Sequence, residues 1–188
     1  MAMTLYCLVL AQLLNLQLVS PAEDFLVRVD SRWLKRKVWS NTIRDLQPTD
    51  FPLFAKSAVP KLFRSGVFQT LADLKQECTG LEPDTQLMCS EVVSFLAEAR
   101  VFVLQGRLMT CAIYEGEGSL EDFQESIQPF LWEHQLPETC TADFGFIPER
   151  GWALIELNPT WGAGLNGCDP GAVSLCLEHA CFPIQNPL

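Results

Sequence analysis

Hydrophobic positions change their period several times along the chain, and each change marks an element. Over residues 1–19, Leu5, Leu8, Val9, Leu13 and Leu16 recur at helical spacing with Gln12 in the same series, so a core helix is expected there, running into a short strand at Gln17–Val19. The same stretch, followed by Ser20-Pro21-Ala22, has features of a secretion signal, although no Lys or Arg precedes it and Gln12, Asn15 and Gln17 interrupt it. Residues 21–50 are rich in charge, Trp and turn formers, and the loop Gln47-Pro48-Thr49-Asp50 leads into an expected strand at Phe51–Lys56. Thr70 is placed to cap a helix over Leu71–Cys78, with Asp73 reaching back and Gly80 ending it. Gln86–Val93 reads as a buried strand, and Arg100–Leu104 with Leu108–Tyr114 as a hairpin about Gln105-Gly106-Arg107.

Between Ser119 and Gln135 the period returns to that of a helix, with Phe123, Ile127, Phe130 and Leu131 on one face. Two strands follow, Thr141–Phe146 and Trp152–Asn158, joined by Pro148-Glu149-Arg150-Gly151. Asp169, with Pro170 behind it, caps a last helix expected to reach about Cys181.

Polar groups stand out against this pattern at Glu156 and Asn158, two residues apart in an otherwise apolar strand and so on one face. Burying a carboxylate is costly unless it is paired, and a divalent cation held by carboxylate and amide oxygens would be such a partner; a strand with one wet face is the plain alternative. Pairing around the Pro148–Gly151 turn sets Asp143 opposite Ile155 or Glu156, and in the second register Asp143, Glu156 and Asn158 share one patch.

Composition narrows the class. The 188 residues, 48% of them hydrophobic and 19% charged, suffice for one substantial core or a two-lobed domain. A net charge of -10 argues against general nucleic-acid binding, which rests on Lys and Arg meeting phosphates. The apolar N-terminus is too short and too interrupted to be expected to span a membrane. Eight cysteines lie scattered, with no Cys-x-x-Cys pair and no His spaced for zinc, and read as reduced core thiols, placing the protein in the cytoplasm; paired cysteines of a secreted protein are the alternative. His134 and His179 are given no role.

In order along the chain, Phe54-Ala55-Lys56, Pro60-Lys61, Cys89-Ser90-Glu91-Val92-Val93, Glu98-Ala99-Arg100, Asp143-Phe144-Gly145 and Glu156-Leu157-Asn158-Pro159-Thr160-Trp161-Gly162 resemble the ATP-grasp superfamily, specifically the clade characterised by one Arg and two Lys. The likeness extends over roughly residues 13–181 and continues through Gly164 to Asp169-Pro170. It favours a structural over a signal-peptide reading of the N-terminus.

The resemblance implies an α+β fold whose two lobes clasp ATP between antiparallel sheets. Residues 1–50 would be a truncated preceding part, and residues 51–188 the ATP-grasp domain, with a smaller lobe at about 51–93 and a larger at about 94–188. It further implies that Lys56 and Lys61 touch the phosphates and that Glu91, Val92 and Val93 form the adenine hinge. Glu98 would lie near the ribose, and Arg100 would face the phosphates or an acyl substrate. Asp143, Glu156 and Asn158 would hold one or two Mg2+ ions.

The implied reaction is an ATP-dependent ligation through an acyl phosphate, joining a carboxylate to an amine or thiol of a peptide, protein or small molecule. A nucleotide-binding module without ligase activity is the second reading, and a secreted disulfide-bonded binding protein the third. Two departures from the family pattern are an apolar Ser57-Ala58-Val59-Pro60 loop and Ala99 at a usually aromatic position.

Overall fold

A computed structural model describes residues 2–59 and 62–184. In chain order its elements are α1 (Ala2–Leu13), β1 (Leu16–Leu18), α2 (Phe25–Arg28), α3 (Ser31–Leu34), β2 (Val38–Thr42), β3 (Leu53–Ser57), β4 (Gly66–Phe68), α4 (Leu71–Glu77) and β5 (Gln86–Ser90). They continue with β6 (Ala97–Leu104), β7 (Arg107–Gly116), α5 (Leu120–Glu133), β8 (Thr139–Ile147), β9 (Gly151–Asn158), α6 (Pro170–Glu178) and β10 (Cys181–Pro183). Contacts divide the chain into one unit of residues 22–94 and a second of residues 1–21 with 95–188. The segment expected to stand apart at residues 1–50 is thus shared between them.

The 22–94 unit is an antiparallel sheet in the order β2-β5-β3-β4. Leu53, Ala55, Leu87 and Cys89 point into one core with Ile43, Leu46, Leu74 and Cys78. Helix α4 begins where the sequence predicts, because the Thr70 side chain accepts from Asp73 N while Asp73 accepts from Thr70 N, satisfying two amides at the open helix end. The expected strand at 86–93 stops at Ser90, and the backbone from Glu91 onward leaves the ladder. Strand β2 is absent from the sequence reading, since Val38-Trp39-Ser40-Asn41-Thr42 lies at the sheet edge with no fully buried face to impose alternation.

In the other unit the sheet order is β7-β6-β8-β9, all antiparallel. Helix α5 buries the four predicted residues, Phe123, Ile127, Phe130 and Leu131, and the Phe123 and Phe130 rings meet Phe144 edge-on from one side of the sheet. The opposite side is divided. At one end Val173 and Cys176 of α6 cover Phe102 together with Cys168, and the remainder carries polar side chains. Helix α6 ends at Glu178 rather than Cys181, because residues 181–183 pair with β1 as an antiparallel ribbon.

Helix α1 forms as expected but is not a core helix: Ala11 is buried, whereas Leu5, Leu8, Val9 and Leu13 are exposed. Its main neighbours are β1 and the turn at Thr160–Gly162, too small a surface to cover an apolar face. Among the described residues no helix is long and apolar enough to cross a membrane. All eight cysteines are free thiols, and Cys78, Cys89, Cys140, Cys168 and Cys176 are buried.

Candidate functional site

Register across three strands assembles the site. Arg100 of β6 stands opposite Asp143 of β8, Asp143 opposite Glu156 of β9, and Thr141 opposite Asn158. Near the turn the ladder follows the register Phe144–Leu154 and Phe146–Trp152, which continued unbroken would set Ile155 against Asp143. A β-bulge between Asp143 and Phe144 absorbs Ile155 and shifts the partner to Glu156. Trp152 and Leu154 thereby stay on the α5 side while Glu156 and Asn158 join Asp143 on the other. Of the two registers open in the sequence, the bulge selects the one that clusters the three oxygen-bearing groups.

The cluster is tightly bonded. Asn158 Nδ2 donates to Glu156 Oε1 at 2.7 Å and to Asp143 Oδ2 at 3.3 Å. Arg100 donates from Nε to Asp143 Oδ1 at 2.8 Å and from Nη2 to Oδ2 at 2.7 Å, a two-pronged pair, and from Nη1 to the Gly164 carbonyl at 2.7 Å. Both charged residues are buried, Asp143 at 2% and Arg100 at 9% exposure. Burial raises the Asp143 carboxyl above its ordinary value against the pull of the Arg100 fork, and hydrogen bonding to Asp143 raises Arg100 in turn. None of these three bonds goes to Glu98 or Glu91.

Sequence reasoning missed three members of this neighbourhood. Tyr114 donates from its hydroxyl to Glu98 Oε2 at 2.7 Å and sets its ring 5.8 Å from the Arg100 guanidinium carbon. A second bulge, between Glu98 and Ala99, places Tyr114 there. Burial raises the Tyr114 hydroxyl far above its usual range, keeping it a donor. The Gly164 carbonyl is the second, anchoring the Gly162-Ala163-Gly164 turn to Arg100. The third is Thr141, fully buried, whose Oγ1 has no hydrogen-bond partner. None has a local sequence signal, since each contact spans a register or a loop.

The remaining predicted residues lie in the 22–94 unit. Lys56 is half-buried on β3 opposite Met88, on the face away from Leu53 and Ala55. Glu91 closes a ring with Lys37, its N donating to Lys37 O at 2.9 Å and its Oε2 accepting from Lys37 N at 3.2 Å. Val92 is exposed and Val93 half-buried, both outside any strand. Lys61 lies outside the described residues.

The donor set fits a hard divalent cation: two carboxylates and one amide from adjacent strands, all oxygen chemistry. Among the described residues no three His, Cys, Asp or Glu side chains group as a metal cluster, and the set reaches three donors only when the amide of Asn158 is counted. A groove of about 440 Å³ elsewhere in the same unit, lined by Val19, Glu138, His179 and Phe182 among others, shares none of these residues. In it His179 Nδ1 lies 3.0 Å from Glu138 Oε1 on the surface.

Residues 33–176 match the sequence model of the ATP-grasp domain, family 2 of the clade characterised by one Arg and two Lys. The chain belongs to that family. Its α+β architecture is the ATP-grasp fold, and solved structures agree: the D-alanine–D-alanine ligase of Coxiella burnetii superposes with TM-score 0.55 at 16% identity, over 79% of this chain and 52% of that one. The Bacillus anthracis ligase of the same name gives 0.54 at 12%, over 72% and 54%. The macrocyclase MdnC of Microcystis aeruginosa, bound with precursor peptide MdnA, gives 0.52 at 11%, over 78% and 54%. At such identities the likeness establishes the fold, and this ATP-grasp chain spans about half the length of each of them. No curated protein matches its sequence.

Proposed function

We propose that the chain binds Mg-ATP and serves an ATP-dependent ligase that forms an amide-like bond through an acyl phosphate. The observation that carries this reading is the convergence of Asp143, Glu156 and Asn158 on one patch in a chain of the ATP-grasp family. Phosphoryl transfer is catalysed by positioning and charge neutralisation rather than by a side-chain nucleophile, and the residues on offer suit that task. A magnesium ion held by Asp143, Glu156 and Asn158 supplies neutralisation of the phosphates when bound.

The chain's own cations do the rest. Lys56 and Lys61 act as point charges on the phosphates. Arg100 has five N–H groups, of which three serve Asp143 and Gly164, leaving two for a phosphate or the acyl group. Glu91, Val92 and Val93, where the backbone leaves the ladder, form the adenine hinge through the peptide groups of Val92 and Val93, the Glu91 N–H being held by Lys37 O, and Glu98 takes the ribose. A substrate carboxylate attacks the γ-phosphorus, ADP leaves, and an amine or thiol then displaces phosphate from the acyl phosphate. The acyl donor is a carboxylate of a peptide, protein or small amino compound. Free, largely buried thiols support a cytoplasmic setting over a secreted one.

Magnesium-dependent ADP release on adding candidate carboxylates tests the reading. Turnover supports a ligase. Mg-ATP binding with no turnover on any carboxylate favours a nucleotide-binding module, and no Mg-ATP binding at all removes both.

A further inference from the structure

Asn158 donates both of its amide hydrogens to carboxylates, and the adjacent strand carries a buried hydroxyl that bonds to nothing. Asn158 Nδ2 spends its two N–H groups on Glu156 Oε1 and Asp143 Oδ2. An amide ligates a hard cation only through its oxygen. For Asn158 to do so beside Asp143 and Glu156, the amide has to turn half a revolution about its Cβ–Cγ bond, which moves Nδ2 off both carboxylates and leaves two donors to be satisfied. Asn158 is half-buried, and a donor turned inward from it is costly if left unsatisfied, so the turn needs an acceptor on that side.

Thr141 meets that need by turning its own side chain about Cα–Cβ, since without a cation its Oγ1 bonds neither atom of the amide. It is the direct cross-strand partner of Asn158 on β8, so the two side chains leave the sheet on the same face with their Cβ atoms about 5 Å apart. It is fully buried, and its Oγ1 is without a hydrogen-bond partner, whereas Thr139, two residues earlier on the same face, bonds both Val103 O and Thr160 Oγ1. For packing alone a Val would serve at least as well, without a buried polar atom to satisfy. A hydroxyl opposite an amide that has to change partners has a task that Val could not perform.

We propose that Thr141 is a positioning residue for the cation site: its hydroxyl accepts from Asn158 Nδ2 when the amide presents Oδ1 to a divalent cation. This rests on the reading that Asp143, Glu156 and Asn158 hold such an ion. It assigns Thr141 no contact with metal or nucleotide. The group acts through Asn158 alone, as residues behind a ligand commonly do.

The test is Mn2+ binding in the presence of ADP, followed by electron paramagnetic resonance, for the parent chain, Thr141→Val and Thr141→Ser, with thermal unfolding of each without metal. Thr141→Val is expected to weaken Mn2+ roughly tenfold, the lower end of what removing a supporting partner costs. Without metal it should melt at the parent temperature or above, since it removes an unsatisfied hydroxyl. Thr141→Ser is expected to restore parental affinity. Parental Mn2+ affinity in Thr141→Val overturns the proposal, as does equal weakening by both variants accompanied by a lowered melting temperature, which marks a packing role. A parent chain that binds no Mn2+ with ADP overturns instead the cation site itself, on which the proposal depends.

Discussion

Arg100 grips Asp143 with two parallel hydrogen bonds, from Nε at 2.8 Å and Nη2 at 2.7 Å, in a setting nearly closed to water. The exposed pair Arg44–Asp84 is as short, at 2.8 Å, but both side chains are more than half in solvent. Distance alone therefore does not rank them; desolvation does.

Removing one partner of the buried pair strands a charge. Arg100→Met or Asp143→Asn is expected to cost about 3–5 kcal/mol in urea unfolding, whereas Arg44→Ala should cost less than about 1 kcal/mol. The double change Arg100→Met with Asp143→Leu is expected to recover most of the loss, because it leaves no ion behind. A double variant as unstable as either single one would contradict this account of the pair.

Nucleotide binding should separate from stability at two other positions. Glu156→Gln keeps the side-chain shape, and Lys56→Ala removes one half-buried cation, so both are expected to fold like the parent while weakening Mg-ATP at least about tenfold. Calorimetric titration alongside circular dichroism reads both quantities. Parental affinity in both would mean that the site has been misplaced.

Gly145 illustrates a tighter constraint. A Cβ added there would lie 2.2 Å from Cδ1 of the Phe95 ring, closer than atoms approach. Gly145→Ala is expected to destabilise by about 1–3 kcal/mol through overpacking, and adding Phe95→Leu to recover part of it. Thermal melts of the single and double variants check the coupling.

Alkaline pH should weaken the fold through its buried thiols. Burial pushes Cys89 and Cys140 up to about 12, assisted by the Asp50 charge at Cys89 and by Cys176 at Cys140. In the unfolded chain these thiols ionise near pH ~8.5. Because the folded form holds its protons longer, their contribution is complete below about pH 8.5 and is lost as pH rises toward about 12. Stability measured by urea at rising pH should fall over that window, and Cys140→Ala should make the fall shallower.

Local chemistry makes much of this fold legible in the sequence. The Thr70 and Asp73 pair announces a helix start, Gln105-Gly106 announces a tight turn with both residues at positive φ, and four apolar residues at helical spacing announce the buried side of α5. Edge elements fare worse: β2 and β10 have no fully buried face and leave no alternation to read. At the site, Glu156 and Asn158 are visible as polar intrusions in an apolar strand, and Asp143 as a candidate opposite them. What the sequence leaves undecided is the bulge at Ile155, because both registers bury plausible residues. The partner of Arg100 is hidden for another reason: 43 positions separate it from Asp143, and no local pattern encodes a contact across two strands.

The pairing of Leu16 with Pro183 has a consequence for how the polypeptide is made. As the nascent chain leaves the ribosome, everything needed for the 22–94 sheet emerges as one continuous stretch, and it can close early. The strand at Leu16–Leu18, synthesised before that sheet, has its ladder partner at residues 181–183 and so waits until the whole intervening chain has been made. Throughout that interval the apolar side chains of the first helix precede their anchor, which makes this the stretch a co-translational chaperone would meet.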